Sequence, residues 1–319
     1  MANVTCIGTG TVGSAWAVVF ARAGHQVSLY DLDPAAVHGF ALPRIRQMLE
    51  QIHDAGADAE SIADIEARIR ISVSLEEAVC KADYVQESVR EDADLKRLLF
   101  SDMSRLAPPE SLLMSSTSAL PGSTFMSDIV NPVRALVAHP VNPPSLIPLV
   151  ELCGTGSTGD EQLETARAFF LAAGMEPITV RREIDGFILN RLQYTLVAEA
   201  LHLVGEGYCS AEDIDRVVTN GLALRWASIG PFMTAHLNAS GGYGGFVEQL
   251  GAMMKRMGKN ARTDYDWGPE LTEEITSWLT SIQPLNTIPL AQNWRDQRIL
   301  ATRSMQTRDT RPAGEGRQD

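Results

Sequence analysis

The sequence contains few cysteines, and they do not cluster. Only four of its 319 residues are cysteines, and Cys6, Cys80, Cys153 and Cys209 stand far apart in the chain. Zinc sites and dithiol redox sites need closely spaced cysteines, so we expect neither, nor any other metal centre. A chain of this length buries a core without covalent cross-links, so no disulfide framework is expected.

Basic residues are outnumbered by acidic ones. The chain has 27 Lys and Arg against 40 Asp and Glu, a formal net charge of −13. General binding to a nucleic-acid backbone requires a basic surface, so nucleic acid is not an expected partner. A small anion remains a possible ligand, because one local arginine can outweigh a distant negative field.

Long apolar runs are also missing. No run reaches the length that crosses a bilayer, and the opening residues MANVTCIGTG contain neither a basic nor a separate apolar leader region. Hydrophobic residues make up 45% and charged residues 21%, values typical of globular proteins. We therefore expect a cytoplasmic protein that does not contact a membrane.

The first 30 residues have the pattern of a βαβ unit. Residues 4–7 form an apolar run that ends in glycines, residues 12–23 have a helical pattern that stops at Gly24, and Gln26–Tyr30 is a second apolar run. Such a unit places two parallel strands side by side with a right-handed crossover.

The pattern continues to about residue 183 and then becomes helical. Residues 34–68 are expected to be an inserted pair of helices, residues 139–148, with four prolines, an extended stiff loop, and residues 187–204 a long helix followed by glycine breaks at 220–230 and 240–245. Further strands are predicted at 69–73, 84–86, 112–115, 134–138, 149–152 and 176–180, and further helices at 93–106 and 160–173.

A glycine motif lies between the first strand and the first helix. Gly8-Thr9-Gly10-Thr11-Val12-Gly13 fits GxGxxG, and Asp31 ends the next strand. In this setting the motif predicts a pyrophosphate site at the helix start, and Asp31 would bind the ribose hydroxyls and repel a 2′-phosphate. We therefore predict NAD as cofactor; the alternative is a glycine turn in an α/β protein that binds no nucleotide. The expected cofactor-binding residues are Gly8, Gly10, Thr11, Val12, Gly13 and Asp31.

Three later segments carry a family resemblance: STSAL at 116–120, HPVNPP running to VEL at 139–152, and GFILNRL at 186–192. With the glycine turn, they resemble the 3-hydroxyacyl-CoA dehydrogenase family over about residues 3–240, and within it they are most similar to the enzymes that oxidise L-gulonate. The resemblance implies an α/β fold with an N-terminal Rossmann-type doubly wound sheet, residues 1–183, and an all-helical C-terminal domain, residues 184–301, that forms a homodimer. Residues 302–319 are expected to be a disordered tail.

The resemblance also implies a catalytic set. His139 matches the general base, Glu151 the carboxylate that orients it, and Ser118 and Asn190 the polar residues that complete the site. Oxidation of an alcohol requires a base for the hydroxyl proton and donors for the developing ketone oxygen, which these residue types supply. Taken singly, each has a structural alternative: a loop histidine, a solvated carboxylate, a capping serine or a helix-start amide.

Two charged residues belong to the same resemblance. Glu91 and Lys96 match family residues that lie near the nicotinamide ribose, and we therefore include them among the cofactor-binding residues. The alternative is an exposed charged pair at the start of a helix.

The resemblance limits the substrate to a 3-hydroxy acid or its thioester. HPVNPP replaces the HFFNP or HFMNP of the acyl-CoA enzymes, and GPFMTAHLNASGG lacks their acidic residue, so we expect a small anionic 3-hydroxy acid, with L-gulonate first. Carnitine, a ring carboxylate and 3-hydroxybutyryl-CoA are alternatives, as is a structural protein that binds NAD without turnover. Arg225 is the candidate partner of the substrate carboxylate; alternatively it binds helix-end carbonyls or a partner subunit.

Overall fold

The computed structural model describes residues 1–56, 60–265 and 268–308. Its contacts divide the chain into two compact units, Met1–Asn190 and a second that begins at Arg191. The sequence places this boundary earlier, after residue 183. The difference arises because Glu151 binds the backbone N–H groups of Ile188 and Leu189, which ties the first turn of the long helix to the first unit.

The first unit is built on one eight-stranded sheet. Its strand order is β3-β2-β1-β4-β5-β6-β7-β8. Neighbouring strands are parallel except β6 and β7, which pair antiparallel. The first six strands have the order of a dinucleotide-binding Rossmann sheet, which confirms the predicted fold class. The strands are β1 Asn3–Ile7, β2 Gln26–Tyr30, β3 Ile69–Ile71, β4 Tyr84–Glu87, β5 Leu112–Ser115, β6 Ala135–Pro140, β7 Leu149–Gly154 and β8 Glu176–Val180.

Helices cover both faces of this sheet. Successive strand residues point to opposite faces: Tyr84 stacks on Phe169 with ring centroids 3.8 Å apart, while Val85 packs in a separate buried cluster with Phe100 and Phe125. The helices are α1 Thr11–Arg22, α2 Pro34–Ala36 with a π-helical turn Val37–Ala41, α3 Leu42–Asp54, α4 Ile62–Glu66, α5 Leu75–Val79, α6 Ala93–Leu106, α7 Ser123–Met126, a 3-10 turn Pro132–Arg134, and α8 Asp160–Ala172.

The proline-rich segment differs from the prediction. His139 and Pro140 belong to β6, and the residues after them form a compact turn in which Pro143 O accepts hydrogen bonds from the backbone N–H groups of Leu146 and Ile147. The prediction of an extended loop over residues 139–148 was therefore wrong. Proline fixes φ at a value that a tight turn also uses, so consecutive prolines are compatible with a fold-back of the chain.

The second unit is helical. It begins within α9, Phe187–Gly205, and continues through α10 Ala211–Val217, a π-helical turn Val218–Leu222, α11 Ala223–Trp226, α12 Pro231–Leu237, α13 Gly242–Gly258, α14 Pro269–Ile282, a 3-10 turn Leu285–Thr287 and α15 Ile288–Arg308. Residues 302–308 are helical, so the tail predicted from residue 302 is wrong over those residues, and its remainder, 309–319, lies outside the described residues. No helix in the described part of the chain combines the length and apolar character of a membrane span.

Candidate active site

The glycine turn has the geometry of a pyrophosphate cradle. Gly8 has a positive φ of 84°, and a side chain there would meet the Ser88 backbone at 2.7 Å. A side chain at Gly13 would collide with the Gly8 carbonyl oxygen at 1.8 Å, whereas a Cβ at Gly10 would meet nothing within 4 Å. The space in front of Gly10 therefore lies open at the start of α1. No side chain caps this helix, which leaves its first N–H groups available to an anion.

Asp31 is held beside this turn. Its Oδ2 accepts hydrogen bonds from the backbone N–H and the hydroxyl of Thr9 at 2.7 and 3.0 Å, and its Oδ1 accepts one from the backbone N–H of Asp33 at 3.1 Å. The carboxylate borders a cavity of about 550 Å³, a size suited to a nucleotide. These features fit NAD. The cavity lining consists of Ile7, Gly8, Gly10, Tyr30, Asp31, Leu32, Leu75, Ser88, Val89, Arg90, Leu95, Leu98, Leu99 and Asp102.

His139 and Glu151 form a buried hydrogen-bonded pair. They stand opposite each other on the antiparallel strands β6 and β7, and His139 Nδ1 lies 2.8 Å from Glu151 Oε2. Both side chains are almost fully buried, 4% and 0% exposed. The carboxylate can only accept, so in the neutral imidazole the hydrogen lies on Nδ1 and Nε2 carries a free lone pair. No described residue binds Nε2, which is therefore free to accept a proton from a substrate.

The start of α9 completes the environment of this pair. Glu151 Oε1 accepts hydrogen bonds from the backbone N–H groups of Ile188 and Leu189 at 3.0 and 3.1 Å. Gly186 and Phe187 both have positive φ, 74° and 49°, and the buried Phe187 ring packs on the His139 ring with centroids 5.3 Å apart. Sequence reasoning missed Phe187. A left-handed phenylalanine is a strained backbone position of the kind that concentrates at functional sites, and no composition signal marks it.

Ser118 and Asn190 are brought into contact with each other. Asn190 Nδ2 donates to the Ser118 carbonyl oxygen at 2.9 Å. Ser118 is exposed, and its hydroxyl has no hydrogen-bond partner among the residues that the structure describes. All four residues of the expected catalytic set therefore belong to the first unit. Within this set, Ser118 and Asn190 are joined by a direct hydrogen bond.

Glu91 and Lys96 do not form an exposed charged pair. Lys96 Nζ lies 2.8 and 3.0 Å from the two oxygens of Glu87, and both side chains are buried, 1% and 0% exposed. Lys96 Nζ also lies 3.4 Å from Glu91 Oε2. The ammonium group of Lys96 therefore points into the protein, where it pairs with the carboxylates of Glu87 and Glu91.

The other oxygen of Glu91 holds the loop that carries Ser118. Glu91 Oε1 accepts hydrogen bonds from the Thr117 hydroxyl and from the backbone N–H groups of Ser118 and Ala119, the latter two at 3.0 Å. Burial alone would raise the pKa of Glu91, but the Thr117 hydrogen bond, the Lys96 charge and the backbone donors lower it overall. For Glu87, burial outweighs the Lys96 charge and raises the pKa. The segment from Glu87 to Lys96 therefore holds residues 117–119, which we call the serine loop, in place through Glu91.

Arg225 lies in the second unit. Its Nε donates to the Gly221 carbonyl oxygen at 3.2 Å, one helical turn earlier, which is one of the alternatives open from the sequence. The side chain is exposed, and its terminal guanidinium nitrogens have no partner in residues 1–56, 60–265 and 268–308.

A partly buried polar network was not anticipated from the sequence. Ser116 Oγ lies within hydrogen-bonding distance of Trp16 Nε1, Gln86 Nε2 and Ser88 Oγ, at 3.0, 2.7 and 2.9 Å. The available signal was Gln86, a polar residue at the end of an apolar strand pattern. A glutamine that is 0% exposed needs polar partners.

The chain is similar to known proteins along most of its length. A family model for the NAD binding domain of 3-hydroxyacyl-CoA dehydrogenase matches residues 3–184, and the model for the C-terminal domain of the same family matches residues 186–273. Lambda-crystallin of Oryctolagus cuniculus is 36% identical over 299 residues, 92% of this chain and 93% of its own length. L-carnitine dehydrogenase of Streptomyces griseus is 39% identical over 255 residues, 78% of this chain and 72% of its own.

A solved structure extends the likeness over nearly the whole chain. It is that of 5-formyl-3-hydroxy-2-methylpyridine 4-carboxylic acid 5-dehydrogenase, described as an NAD+-dependent dismutase. The TM-score is 0.83 at 25% identity, with 96% of this chain and 99% of that chain covered.

Proposed function

Because the chain belongs to the 3-hydroxyacyl-CoA dehydrogenase family, we propose that it oxidises the 3-hydroxyl group of a small free 3-hydroxy acid, with L-gulonate as the first candidate. It is an NAD-dependent enzyme that acts on a CH–OH group. The observation that carries the proposal is the buried pair of His139 and Glu151, whose free Nε2 belongs to the same unit as the glycine turn.

His139 removes the hydroxyl proton of the substrate. Its Nε2 lone pair receives the proton, and the Glu151 carboxylate at 2.8 Å from Nδ1 stabilises the imidazolium that forms. When bound, NAD+ supplies the acceptor for the hydride that leaves the substrate carbon. In the reverse direction the same imidazolium returns the proton to the ketone oxygen.

Ser118 and Asn190 position the reacting oxygen. The Ser118 hydroxyl is exposed and has no described partner, so it is free to donate to an alkoxide or ketone oxygen. Asn190 holds the Ser118 backbone through its Nδ2, and Glu91 holds the same residue from its N–H side. The donor is therefore fixed from two directions before substrate arrives.

Several features support a free acid over an acyl-CoA. The segment after His139 reads PVNPP, and the GPFMTAHLNASGG segment lacks the acidic residue expected of an acyl-CoA enzyme. One similar protein bears the name L-carnitine dehydrogenase, and carnitine is a free 3-hydroxy acid. Arg225, with free terminal nitrogens, remains our candidate for binding the substrate carboxylate. Carnitine, a ring carboxylate and 3-hydroxybutyryl-CoA remain the competing substrates.

The enzyme is also proposed to be a homodimer. Of the described residues after Asn190, only Ala198, Val204, Thr234 and Leu300 are buried, although the helices of this unit carry many apolar side chains. Phe232 and Leu290 are 75% and 72% exposed. A second copy that covers these side chains would give the unit the core that it lacks.

The test is NADH formation with L-gulonate, carnitine, 3-hydroxybutyrate and 3-hydroxybutyryl-CoA. A preference for L-gulonate is the expected result, and a preference for the CoA ester would contradict the proposed substrate while leaving the chemistry intact.

His139→Gln should abolish turnover on any active substrate without loss of NADH binding. His53→Gln, at an exposed histidine, is the matched control. Binding of NADH by the parent without turnover on a wide panel of acids would favour a structural protein.

A further inference from the structure

Ser88 presents a hydroxyl group at the glycine turn, and its neighbours determine where its hydrogen points. Ser88 follows β4 directly, and its Oγ lies 2.9 Å from Ser116 Oγ. Ser116 Oγ is also 3.0 Å from Trp16 Nε1 and 2.7 Å from Gln86 Nε2. Ser116 therefore stands at the centre of three polar partners.

The hydrogen atoms of this network can be assigned from its chemistry. An indole nitrogen only donates. The Gln86 amide nitrogen also lies 3.3 Å from the Ala138 carbonyl oxygen, which only accepts, so this nitrogen is correctly placed as the donor. The two donors fill both lone pairs of Ser116 Oγ, and its own hydrogen is left to donate to Ser88.

The hydrogen of Ser88 is consequently directed elsewhere. It cannot point back at Ser116, and no other described residue accepts it. Ser88 borders the same cavity as Gly8, Gly10 and Asp31. Its backbone packs so closely under the turn that a Cβ on Gly8 would meet it at 2.7 Å. The open direction for this donor is the cavity in front of the turn.

We propose that Ser88 is a cofactor-binding residue whose hydroxyl donates to an oxygen of NAD, either in the pyrophosphate or in the ribose on its nicotinamide side. The helix-start N–H groups act on the same part of the ligand. Hydrogen bonds in a chain polarise one another, so donation from Trp16 and Gln86 into Ser116 strengthens the donation onward through Ser88.

The relay is rigid because its first member is fixed by packing. Trp16 is 0% exposed and stacks on Phe20, with centroids 5.2 Å apart and planes 4° apart. It also contacts the Phe170 ring at 5.4 Å. The donor to Ser116 is thus held in place before cofactor binds, which avoids an ordering cost at the moment of binding.

The test is a fluorescence titration of NADH in the absence of substrate. Ser88→Ala should raise the Kd for NADH about tenfold if the hydrogen bond goes to a charged pyrophosphate oxygen, and about fivefold if it goes to a neutral ribose oxygen. Ser72→Ala is the matched control, because Ser72 is a buried serine that pairs with another serine, Ser28, at 2.6 Å and does not border the cavity. An unchanged Kd in Ser88→Ala would overturn the proposal while leaving NAD binding by the parent untouched.

Fragments of the cofactor identify the oxygen that Ser88 contacts. Adenosine, AMP, ADP and ADP-ribose are titrated against the parent and Ser88→Ala. Weaker binding of ADP and ADP-ribose assigns the contact to the pyrophosphate, and weaker binding of ADP-ribose alone assigns it to the ribose. An equal loss for AMP assigns the contact to the phosphate next to the adenosine, whereas an equal loss for adenosine, which has no phosphate, would place the effect at the adenosine end and contradict the proposal.

Ser116→Ala separates the contact from the packing of the network. This change leaves the Trp16 N–H and one of the two N–H hydrogens of Gln86 without an acceptor, so the melting temperature should fall. The Ser88 hydroxyl is retained, so NADH affinity should fall less than in Ser88→Ala. The opposite order of affinities would mean that Ser88 acts only through packing.

Discussion

At the scale of the residue, Glu151 uses its two oxygens for two different purposes. Oε2 contacts His139 Nδ1, and Oε1 accepts the backbone N–H groups at the start of α9. One side chain therefore sets the tautomer of the histidine and anchors the helix that supplies Asn190. Catalytic geometry and local folding depend on the same carboxylate.

This division predicts the behaviour of Glu151→Gln. The amide oxygen would keep the two backbone donors of α9, which turns the amide NH₂ toward His139. Nδ1 must then accept, the imidazole hydrogen moves to Nε2, and no base remains for the substrate. We expect kcat to fall roughly 10³-fold, with NADH affinity and melting temperature near those of the parent.

The measurement is steady-state turnover together with NADH titration. Glu151→Ala serves as the comparison, because it removes both contacts and should also lower the melting temperature. Turnover near the parental rate in Glu151→Gln would show that the tautomer does not limit the reaction.

The sequence could identify a site residue by itself only where the residues that form the motif lie close together in the chain. The glycine turn and Asp31 act through a single βαβ unit and were recognisable from their order. His139, Glu151, Ser118 and Asn190 were recognisable only through the family resemblance. Ser88 and Ser116 belong to different strand ends, and nothing in their neighbouring residues indicates that they meet.

At the scale of the element, the segment from β4 to α6 connects a buried ion pair to the serine loop. Lys96 pairs with Glu87 at the end of β4 and contacts Glu91, which binds the loop backbone. The sequence predicted both elements, but a lysine at the start of a helix has the appearance of a surface residue. Its burial depends on a carboxylate nine residues earlier on another element.

Lys96→Met should destabilise the first unit strongly. It leaves Glu87 buried without its counter-charge, so the free energy of unfolding should fall by about 3–5 kcal/mol. Lys81→Met, at an exposed lysine, should leave the free energy of unfolding unchanged. Urea unfolding measures both. A loss in Lys96→Met no larger than in Lys81→Met would show that the ion pair contributes nothing.

The serine loop should also respond to acid through Glu91. The pKa of this residue is lowered from 4.5 in the folded protein, so its contribution to stability is complete above pH 4.5 and is lost as the pH falls through the lowered value. The difference in unfolding free energy between the parent and Glu91→Gln should therefore be constant above pH 4.5 and shrink below it. Urea unfolding over this pH range tests the sign, and a difference that grows on acidification would contradict it.

The sequence pattern did not predict that β7 pairs antiparallel with β6. Apolar runs predicted a strand at 149–152, but the direction of pairing is set by the connection that precedes it. Because 139–148 was interpreted as extended, the fold-back after Pro143 was not foreseen. In the structure this connection is shorter than predicted, because His139 and Pro140 belong to β6.

At the scale of the whole molecule, the second unit exposes many large apolar side chains, a feature that marks interaction surfaces when such side chains lie together. Leu290 and Trp294 lie four residues apart on α15 and are 72% and 64% exposed, so they share one face of that helix. If the proposed homodimer uses this face, two charges on it should prevent association.

The corresponding experiment is the mass in solution by light scattering. The parent should have twice the chain mass of 34.7 kDa at micromolar concentration, and the double variant Leu290→Glu, Trp294→Glu should shift toward the monomer. Val73→Glu, at a residue of the first unit that is 89% exposed, should remain dimeric. A monomeric parent would refute the dimer itself.

The pairing of His139 with Glu151 across two antiparallel strands has an evolutionary consequence. Their separation in space is fixed by the strand ladder, while their separation in sequence is fixed only by the turn that joins the strands. Insertions or replacements in that turn can reshape what approaches the histidine without disturbing the base and its partner. A family with this arrangement can vary one connection while it keeps the base and its partner in register.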